Sequence, residues 1–262
     1  MVALTQAADK LLAAEPDFVT VTYGAGGSTR EKTLQVCDLL RQMGYRVVMP
    51  HLTCVGSSQA ELRSIVERMT QAGYRNIMTL RGDPPQGEAA FQPAPDGLSH
   101  ASELVALIKQ YFPSVCCGVA SYPEIHPEAE SAEADLLHLR EKVTAGADFI
   151  TTQLFFENKL YFDFVTRCRT VGIAVPILPG LLPAISLPQA RRMASKCKTS
   201  LPPALEVELE KAGGTGDLAE EVGIRWAVRQ IESLLENGAP GIHLYVLNRA
   251  KVALSPEISE CM

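Results

Sequence analysis

The residues best suited to chemistry sit where apolar runs stop. Asn76-Ile-Met-Thr-Leu80 is followed by Arg81, Gly82 and Asp83, and then by Pro84 and Pro85. The run reads as a strand that the prolines end. A cation, a residue without a side chain and a carboxylate therefore fall at the C-terminal tip of a strand, the edge that carries the chemistry of α/β folds. Gly82 would let a ligand approach the backbone closely. The competing reading is a surface aspartate in a turn before proline. Other tips offer Thr22-Tyr23-Gly24, His51-Leu52-Thr53, Tyr122-Pro-Glu-Ile-His126, Gln153 and the stretch from Tyr245 to Arg249. Cations suit phosphate, carboxylates suit hydroxyls, and Gln or Tyr suits a heterocycle edge, so this set fits a large polar ligand. Neither a Ser–His–Asp order nor a His-x-x-x-His helix is legible, and no metal is implied. Ordinary roles compete at several positions. His51, taken alone, reads first as a satisfied buried histidine, and His126, before Pro127, has a competing role as a loop-shaping residue. Asp135 and Lys142, seven apart, share one side of a helix and read equally as a charged surface.

Short apolar segments alternate with amphipathic helices. Candidate strands are 18–22, 46–50, 76–80, 115–120, 149–153, 175–178 and 241–247. They are rich in Val, Ile, Thr and Phe and apolar on both faces, as parallel strands covered by helices are. Ser28-Thr-Arg-Glu31 and Ser58-Gln-Ala-Glu61 match the capping-box pattern. Leu62, Ile65, Val66 and Met69 form one helical stripe; Ala101, Leu104, Val105 and Ile108 form another, and Tyr161, Phe164, Val165 and Cys168 a third. Gly44, Gly73, Gly146 and Gly172 are placed as helix C-terminal caps. A helix over 218–235 precedes the last strand, and 198–217 reads as a loop insertion holding at most a short helix. The strands number seven and the helices eight, the first helix (Leu4, Ala8, Leu11, Leu12) having no strand before it. The pattern is that of a (β/α)₈ TIM barrel whose N-terminal first strand is missing, forming a single domain over 1–262. A doubly wound sheet is the rival, weakened because Thr22-Tyr-Gly-Ala-Gly-Gly-Ser28 fits neither the Rossmann nor the P-loop spacing.

Composition narrows the class. The chain has 262 residues, near the ~250 typical of an α/β barrel. A net charge of −6 argues against a broad nucleic-acid surface. No apolar run approaches the roughly 20 residues needed to span a membrane, and the N-terminus lacks the pattern of a signal peptide. Seven scattered cysteines without a Cys-x-x-Cys pair suit reduced thiols in a cytoplasmic protein, with Cys261 an exposed tail thiol.

Seven segments, in order, resemble the methylenetetrahydrofolate reductase family: Val19-Thr-Val-Thr-Tyr-Gly-Ala25, Pro50-His-Leu-Thr-Cys54, Leu80-Arg-Gly-Asp83, Ala120-Ser-Tyr-Pro-Glu-Ile-His-Pro-Glu-Ala129, Thr152-Gln-Leu-Phe-Phe156, Ile177-Leu-Pro-Gly-Leu-Leu-Pro183 and His243-Leu-Tyr-Val-Leu-Asn-Arg249. The resemblance implies a flavin-containing barrel that uses FAD and NADH or NADPH to reduce 5,10-methylenetetrahydrofolate to 5-methyltetrahydrofolate, feeding methionine synthesis. By motif it implies flavin contacts from Thr22, His51, Arg81, Gly82, Asp83, Ala120, Tyr122, His126, Asp135 and Lys142. Asp135 would hold an adenosine-side hydroxyl and Lys142 a phosphate. Gln153, Tyr245 and Arg249 fall to the substrate, and Asp83 to tuning the flavin ring beside it. The segment 205–209, with Leu209 as the aligned position, would cover the stacking site. Family members begin with a strand carrying a glutamate that serves as general acid, and this sequence starts after it. The expectation is therefore weak turnover from the chain as written, with three explanations open: a start internal to a longer gene, a flavin-binding relic, or a substitute carboxylate. Unpaired edges in such a barrel favour a homo-oligomer. A non-catalytic flavin- or folate-binding barrel and a flavin-free folate methyltransferase or lyase are the alternative functions.

Overall fold

The computed structural model describes residues 2–22, 30–84, 91–247 and 250–261. Among them the chain runs α1 (Val2–Leu12), β1 (Val19–Val21), α2 (Arg30–Gln42), β2 (Val48–Thr53), α3 (Gln59–Gln71), β3 (Asn76–Leu80), α4 (Ala101–Tyr111), β4 (Cys116–Ser121), α5 (Ala132–Thr144) and β5 (Phe149–Leu154). It continues with α6 (Asn158–Thr170), β6 (Ile177–Leu181), α7 (Leu187–Cys197), α8 (Pro203–Lys211), α9 (Asp217–Glu236), β7 (His243–Leu244), α10 (Ala250–Ala253) and α11 (Pro256–Ser259). The seven strands follow one another in chain order in the sheet, and the pairs β1–β2, β2–β3, β3–β4 and β6–β7 are parallel. This is an α/β fold with a seven-stranded parallel sheet, and the strand count equals that read from the sequence. No helix among the described residues is long and apolar enough to cross a membrane.

Two compact units make up the chain. The first gathers Met1–Ala14, Ser121–Leu136 and Thr151–Met262; the second gathers Glu15–Ala120 and Leu137–Ile150.

In the second unit, α3 begins with the expected capping box. The Glu61 backbone N–H donates to Ser58 Oγ at 3.3 Å, and the Ser58 N–H donates to Glu61 Oε2 at 2.8 Å. Such a cap stabilises a helix by about 1 kcal/mol. Leu62, Val66 and Met69 of α3 are buried, as are Leu104, Val105 and Ile108 of α4, beside Leu52 and Ile77 of the strands. The box expected at Ser28 lies outside the described residues. β2 is shifted from its expected place, ending at Thr53 rather than Pro50. Pro50 does not stop it because the strand's two ladders are offset: β1 pairs with Val48 through Pro50, and β3 with His51 through Thr53. His51 consequently lies within the strand instead of beyond its tip.

The helix-to-strand turns share one device. Gly44, Gly73, Gly146 and Gly172 all have positive φ, which only glycine adopts without cost. The residue after each donates its N–H five residues back: Tyr45 to Leu40, Tyr74 to Met69, Ala147 to Lys142 and Ile173 to Cys168. Those four residues are buried, so each helix ends in a Schellman cap pinned by an apolar contact.

The first unit is built around Leu154 at the end of β5 and Phe156 beyond it, Leu187, Ala190 and Ala194 of α7, and Leu205 and Leu209 of α8. The segment read as a loop insertion thus contributes a nine-residue helix to the core. Pro203 sits at its first turn, where a missing N–H costs nothing, and Leu205 and Leu209 recur at helical spacing. The last strand is shorter than expected, two residues in place of 241–247, and Leu247, three residues beyond it, has a φ of 49°. Cys261 is half-buried rather than exposed, its Sγ 3.0 Å from the Glu257 carbonyl. All seven cysteines are free. Burial pushes the thiols of Cys37, Cys54 and Cys168 up to about 12 and that of Cys117 to about 11, so none of these four is a thiolate nucleophile at neutral pH.

Candidate functional site

In the second unit the strand tips carry the predicted cation–carboxylate set. Cys54 donates its N–H to the carbonyls of Leu80 and Arg81 at 3.3 and 3.0 Å, which fastens the chain leaving β2 to the end of β3. Arg81, half-buried, donates Nε to the Gly82 carbonyl at 3.3 Å and lies 5.1 Å over the Phe91 ring. Gly82 is explained differently from expectation. Its φ is 93°, and a Cβ there would lie 3.0 Å from Thr53 Cβ and 3.1 Å from Val55 Cγ1. Packing against the neighbouring strand end, together with its backbone conformation, therefore requires glycine. Asp83 is exposed beyond it. Thr22, also exposed, accepts from Thr33 Oγ1 through its carbonyl at 3.2 Å. Ala120 and Lys142 meet directly: the ammonium donates to the Ala120 carbonyl at 2.7 Å. Main-chain carbonyls thus position Arg81 and Lys142, two cations suited to an anionic group.

In the first unit Tyr122, His126 and Asp135 form one network. Asp135 Oδ2 accepts the His126 backbone N–H at 2.9 Å, and the Glu128 N–H donates to His126 Nδ1 at 3.1 Å. A ring whose Nδ1 accepts carries its proton on Nε2 when neutral, so the loop presents Nε2–H as a donor. The Tyr122 ring meets His126 edge-on, with centroids 4.8 Å apart. One oxygen of Asp135, the residue expected to hold a hydroxyl, is thereby committed to shaping this loop.

Gln153 and Tyr245 flank Thr152. Gln153 Oε1 accepts the Leu154 N–H at 2.9 Å, which leaves the amide NH₂ as the group to offer a ligand. The Tyr245 hydroxyl donates to the Thr152 carbonyl at 2.8 Å, and its N–H donates to the Leu181 carbonyl at 2.8 Å. Burial pushes its phenol well above the usual range. Tyr245 is consequently a wall, not an acid. Gly180 permits the arrangement: a Cβ there would lie 2.3 Å from the Thr152 carbonyl oxygen and 2.7 Å from the Tyr245 ring.

Beside Tyr245 is a cavity of about 50 Å³ lined by Leu182, Gln189, Arg192, Leu244 and Leu247 among others. Gln189 is only 7% exposed, and its Oε1 has no hydrogen-bond partner among the described residues. A buried unpaired amide carbonyl costs about 1–3 kcal/mol unless a ligand supplies the donor. The sequence reading missed this residue. Its signal was a glutamine on the apolar face of α7, between buried Leu187, Ala190 and Ala194 and three residues after the Ser186 cap. The role expected of Leu209 is corrected: it is fully buried in the core, as is Leu205, so neither side chain faces a ligand. Val207 is the exposed apolar side chain of that helix. Arg249 and Tyr23 lie outside the described residues. No cluster of three metal-ligating side chains occurs among the described residues.

Residues 1–260 match the family model described as methylenetetrahydrofolate reductase. The 5,10-methylenetetrahydrofolate reductase of Salmonella typhimurium is 36% identical over 245 residues, which cover 94% of this chain and 80% of that one. Methylenetetrahydrofolate reductase (NADH) 1 of Arabidopsis thaliana is 36% identical over 256 residues, 94% of this chain but 43% of the plant protein. The chain therefore spans less than half the length of its plant relatives. Among solved structures, a Clostridium thermocellum protein that binds two copies of 5-methyl-5,6,7,8-tetrahydrofolic acid aligns over 99% of this chain and 100% of its own, with a TM-score of 0.54 and 16% identity. A 2,3-dimethylmalate lyase aligns with a TM-score of 0.51 and 13% identity. At those identities the likeness is one of fold.

Proposed function

This chain belongs to the methylenetetrahydrofolate reductase family, and from that premise we propose that it reduces 5,10-methylenetetrahydrofolate to 5-methyltetrahydrofolate, with NADH or NADPH as reductant and FAD as resident cofactor. The product would feed methionine synthesis. Gln189 is the observation that carries the substrate assignment. A pterin edge presents ring N–H and amino donors, and Gln189, a residue that lines an apolar pocket walled by Tyr245 and Leu244 and whose carbonyl has no partner among the described residues, is suited to receive one. Arg192, exposed at the same cavity, suits a carboxylate, and Gln153, which does not line that cavity, would offer its amide NH₂ to another part of the substrate.

Each unit, taken by itself, holds side chains that would suit part of a flavin dinucleotide. Lys142 of α5, whose ammonium reaches the Ala120 carbonyl of β4, and Arg81, just past the end of β3, suit its phosphates. His126, held with Nδ1 as acceptor, offers Nε2–H to a carbonyl or phosphate oxygen. When bound, the flavin supplies the hydride relay between nicotinamide and folate. Asp83 places a carboxylate at the β3 tip, where it would disfavour added negative charge on a neighbouring ring and so bias its electrostatics. Thr22, His51, Gly82, Ala120, Tyr122 and Asp135 complete the proposed flavin-binding set, and Arg249 the substrate set.

The test is direct. The purified chain, supplied with FAD, methylenetetrahydrofolate and either NADH or NADPH, is assayed for 5-methyltetrahydrofolate by chromatography. Accumulation of that product above a protein-free control supports the reading. A colourless protein that binds neither FAD nor folate would overturn it.

A further inference from the structure

Glu124 lies in the loop after β4, between Tyr122 and His126, and its carboxylate takes three hydrogen bonds from one short segment. Oε1 accepts from Thr199 Oγ1 at 2.6 Å and from the Ser200 N–H at 2.8 Å; Oε2 accepts from Ser200 Oγ at 2.5 Å. Thr199 and Ser200 follow α7 immediately. Lys198 caps the helix in the left-handed conformation with a φ of 54°, and the Thr199 N–H returns to the Ala194 carbonyl at 3.0 Å. A pull on Thr199 is thus a pull on α7. The other end of that helix is held by Ser186, whose Oγ accepts the Gln189 N–H at 3.3 Å.

The loop that presents Glu124 is itself anchored. Arg167 of α6 donates Nη2 to the Pro123 carbonyl at 2.9 Å, one residue before the glutamate. Hydrogen bonds to a charged acceptor contribute about 1.5–3 kcal/mol each, more than neutral ones. Gln189 and Cys197, the last residue of α7, are eight residues apart, roughly 12 Å along the helix. A rigid helix with a fixed end transmits a displacement over that span to the amide that lines the cavity.

We propose that Glu124 is a positioning residue for the substrate cavity, acting through the C-terminal end of α7 to set the place of Gln189. The proposal rests on the folate reading of that cavity. No ligand contact is assigned to Glu124 itself; it fixes a helix whose buried amide makes the contact.

A double-mutant cycle on the affinity for 5-methyltetrahydrofolate, measured by calorimetry on the full chain, tests it. Glu124→Ala and Gln189→Met are each expected to weaken binding by about tenfold, and the double variant by about tenfold as well, because the glutamate acts only through the amide. Glu124→Gln retains Oε1 for Thr199 and the Ser200 N–H and is expected to stay within about threefold of wild type. Multiplicative losses, about a hundredfold in the double variant, would overturn the proposal while leaving the folate reading intact. So would an E124A protein that melts earlier but binds folate normally, or an E124Q protein as weak as E124A. Failure of the wild type to bind 5-methyltetrahydrofolate would overturn the folate reading, and this proposal with it.

Discussion

Replacing Gln189 by methionine should make the protein more stable and worse at its proposed task. The side chain is 93% buried by its 7% exposure, its carbonyl has no partner, and the neighbouring lining is largely aliphatic. A buried carbonyl left unpaired costs about 1–3 kcal/mol relative to an apolar group of the same shape, and Gln to Met nearly conserves volume and keeps the unbranched chain. Taking the low end, Q189M gains about 1 kcal/mol, which for a chain of this size raises Tm by about 2–4 °C. The ligand then meets a thioether where its N–H would find an acceptor, and an unmade hydrogen bond of about 1.4 kcal/mol weakens binding tenfold. Paired thermal melts, with and without 5-methyltetrahydrofolate, read both quantities in one experiment. The folate-free variant should melt above the wild type, and saturating folate should shift it less. A variant that melts lower, or one with an undiminished folate shift, would refute the argument that this carbonyl is held in reserve for a ligand.

Three further expectations concern other parts of the molecule. Gly180→Ala forces a methyl group against the Thr152 carbonyl and the Tyr245 ring, and should cost at least about 3 kcal/mol; a urea midpoint equal to that of wild type would show that the strand end yields easily. His243 should make stability fall with pH. The Nδ1 atom is buried although part of the residue reaches the surface, and burial lowers its pKa from 6.5 to about 4. Below pH 6.5 the unfolded chain takes up a proton that the folded chain refuses, so stability declines as pH drops from 6.5 toward 4, by about 3 kcal/mol at most. His243→Gln should flatten that slope in urea titrations at pH 7 and pH 5, and an unchanged slope would assign it elsewhere. Asp83→Asn should slow folate reduction more than it weakens FAD binding, measured by single-turnover kinetics and by flavin fluorescence; equal losses would remove Asp83 from the tuning role.

Local signals carried much of the fold. The Ser58–Glu61 box, the apolar stripes and the helix-ending glycines each follow from short-range chemistry, and each stands where the sequence put it. Long-range pairing was less visible. Pro50 looks like a stop because its nitrogen carries no proton, yet the ladders on either side of it divide the strand between them. Pro202 and Pro203 look like a loop, although proline starts a helix as readily as it ends one. The end of β3 fell where expected, at Leu80, whereas β2 runs on to Thr53 and the last strand stops at Leu244. Leu209 was placed at a ligand from motif position alone, whereas its spacing with Leu205 puts it in the core. Gln189 and Glu124 have no local signature that separates them from any helix glutamine or loop glutamate. One is marked by a missing partner and the other by three hydrogen bonds from two residues 75 and 76 positions away.

The repeated glycine caps have a consequence for how this chain tolerates change. Each cap fixes the exit of a helix, and the buried residue after it, Tyr45, Tyr74, Ala147 or Ile173, fixes the phase in which the next strand begins. One residue added between cap and strand would turn every following side chain to the opposite face. One residue added after a strand leaves that phase unchanged, because it falls before the next helix and its cap. The αβ turns therefore act as a metronome for the sheet, whereas the loops leaving the strands, which carry Asp83, Glu124 and His126, are held by their own side-chain contacts and do not set the beat.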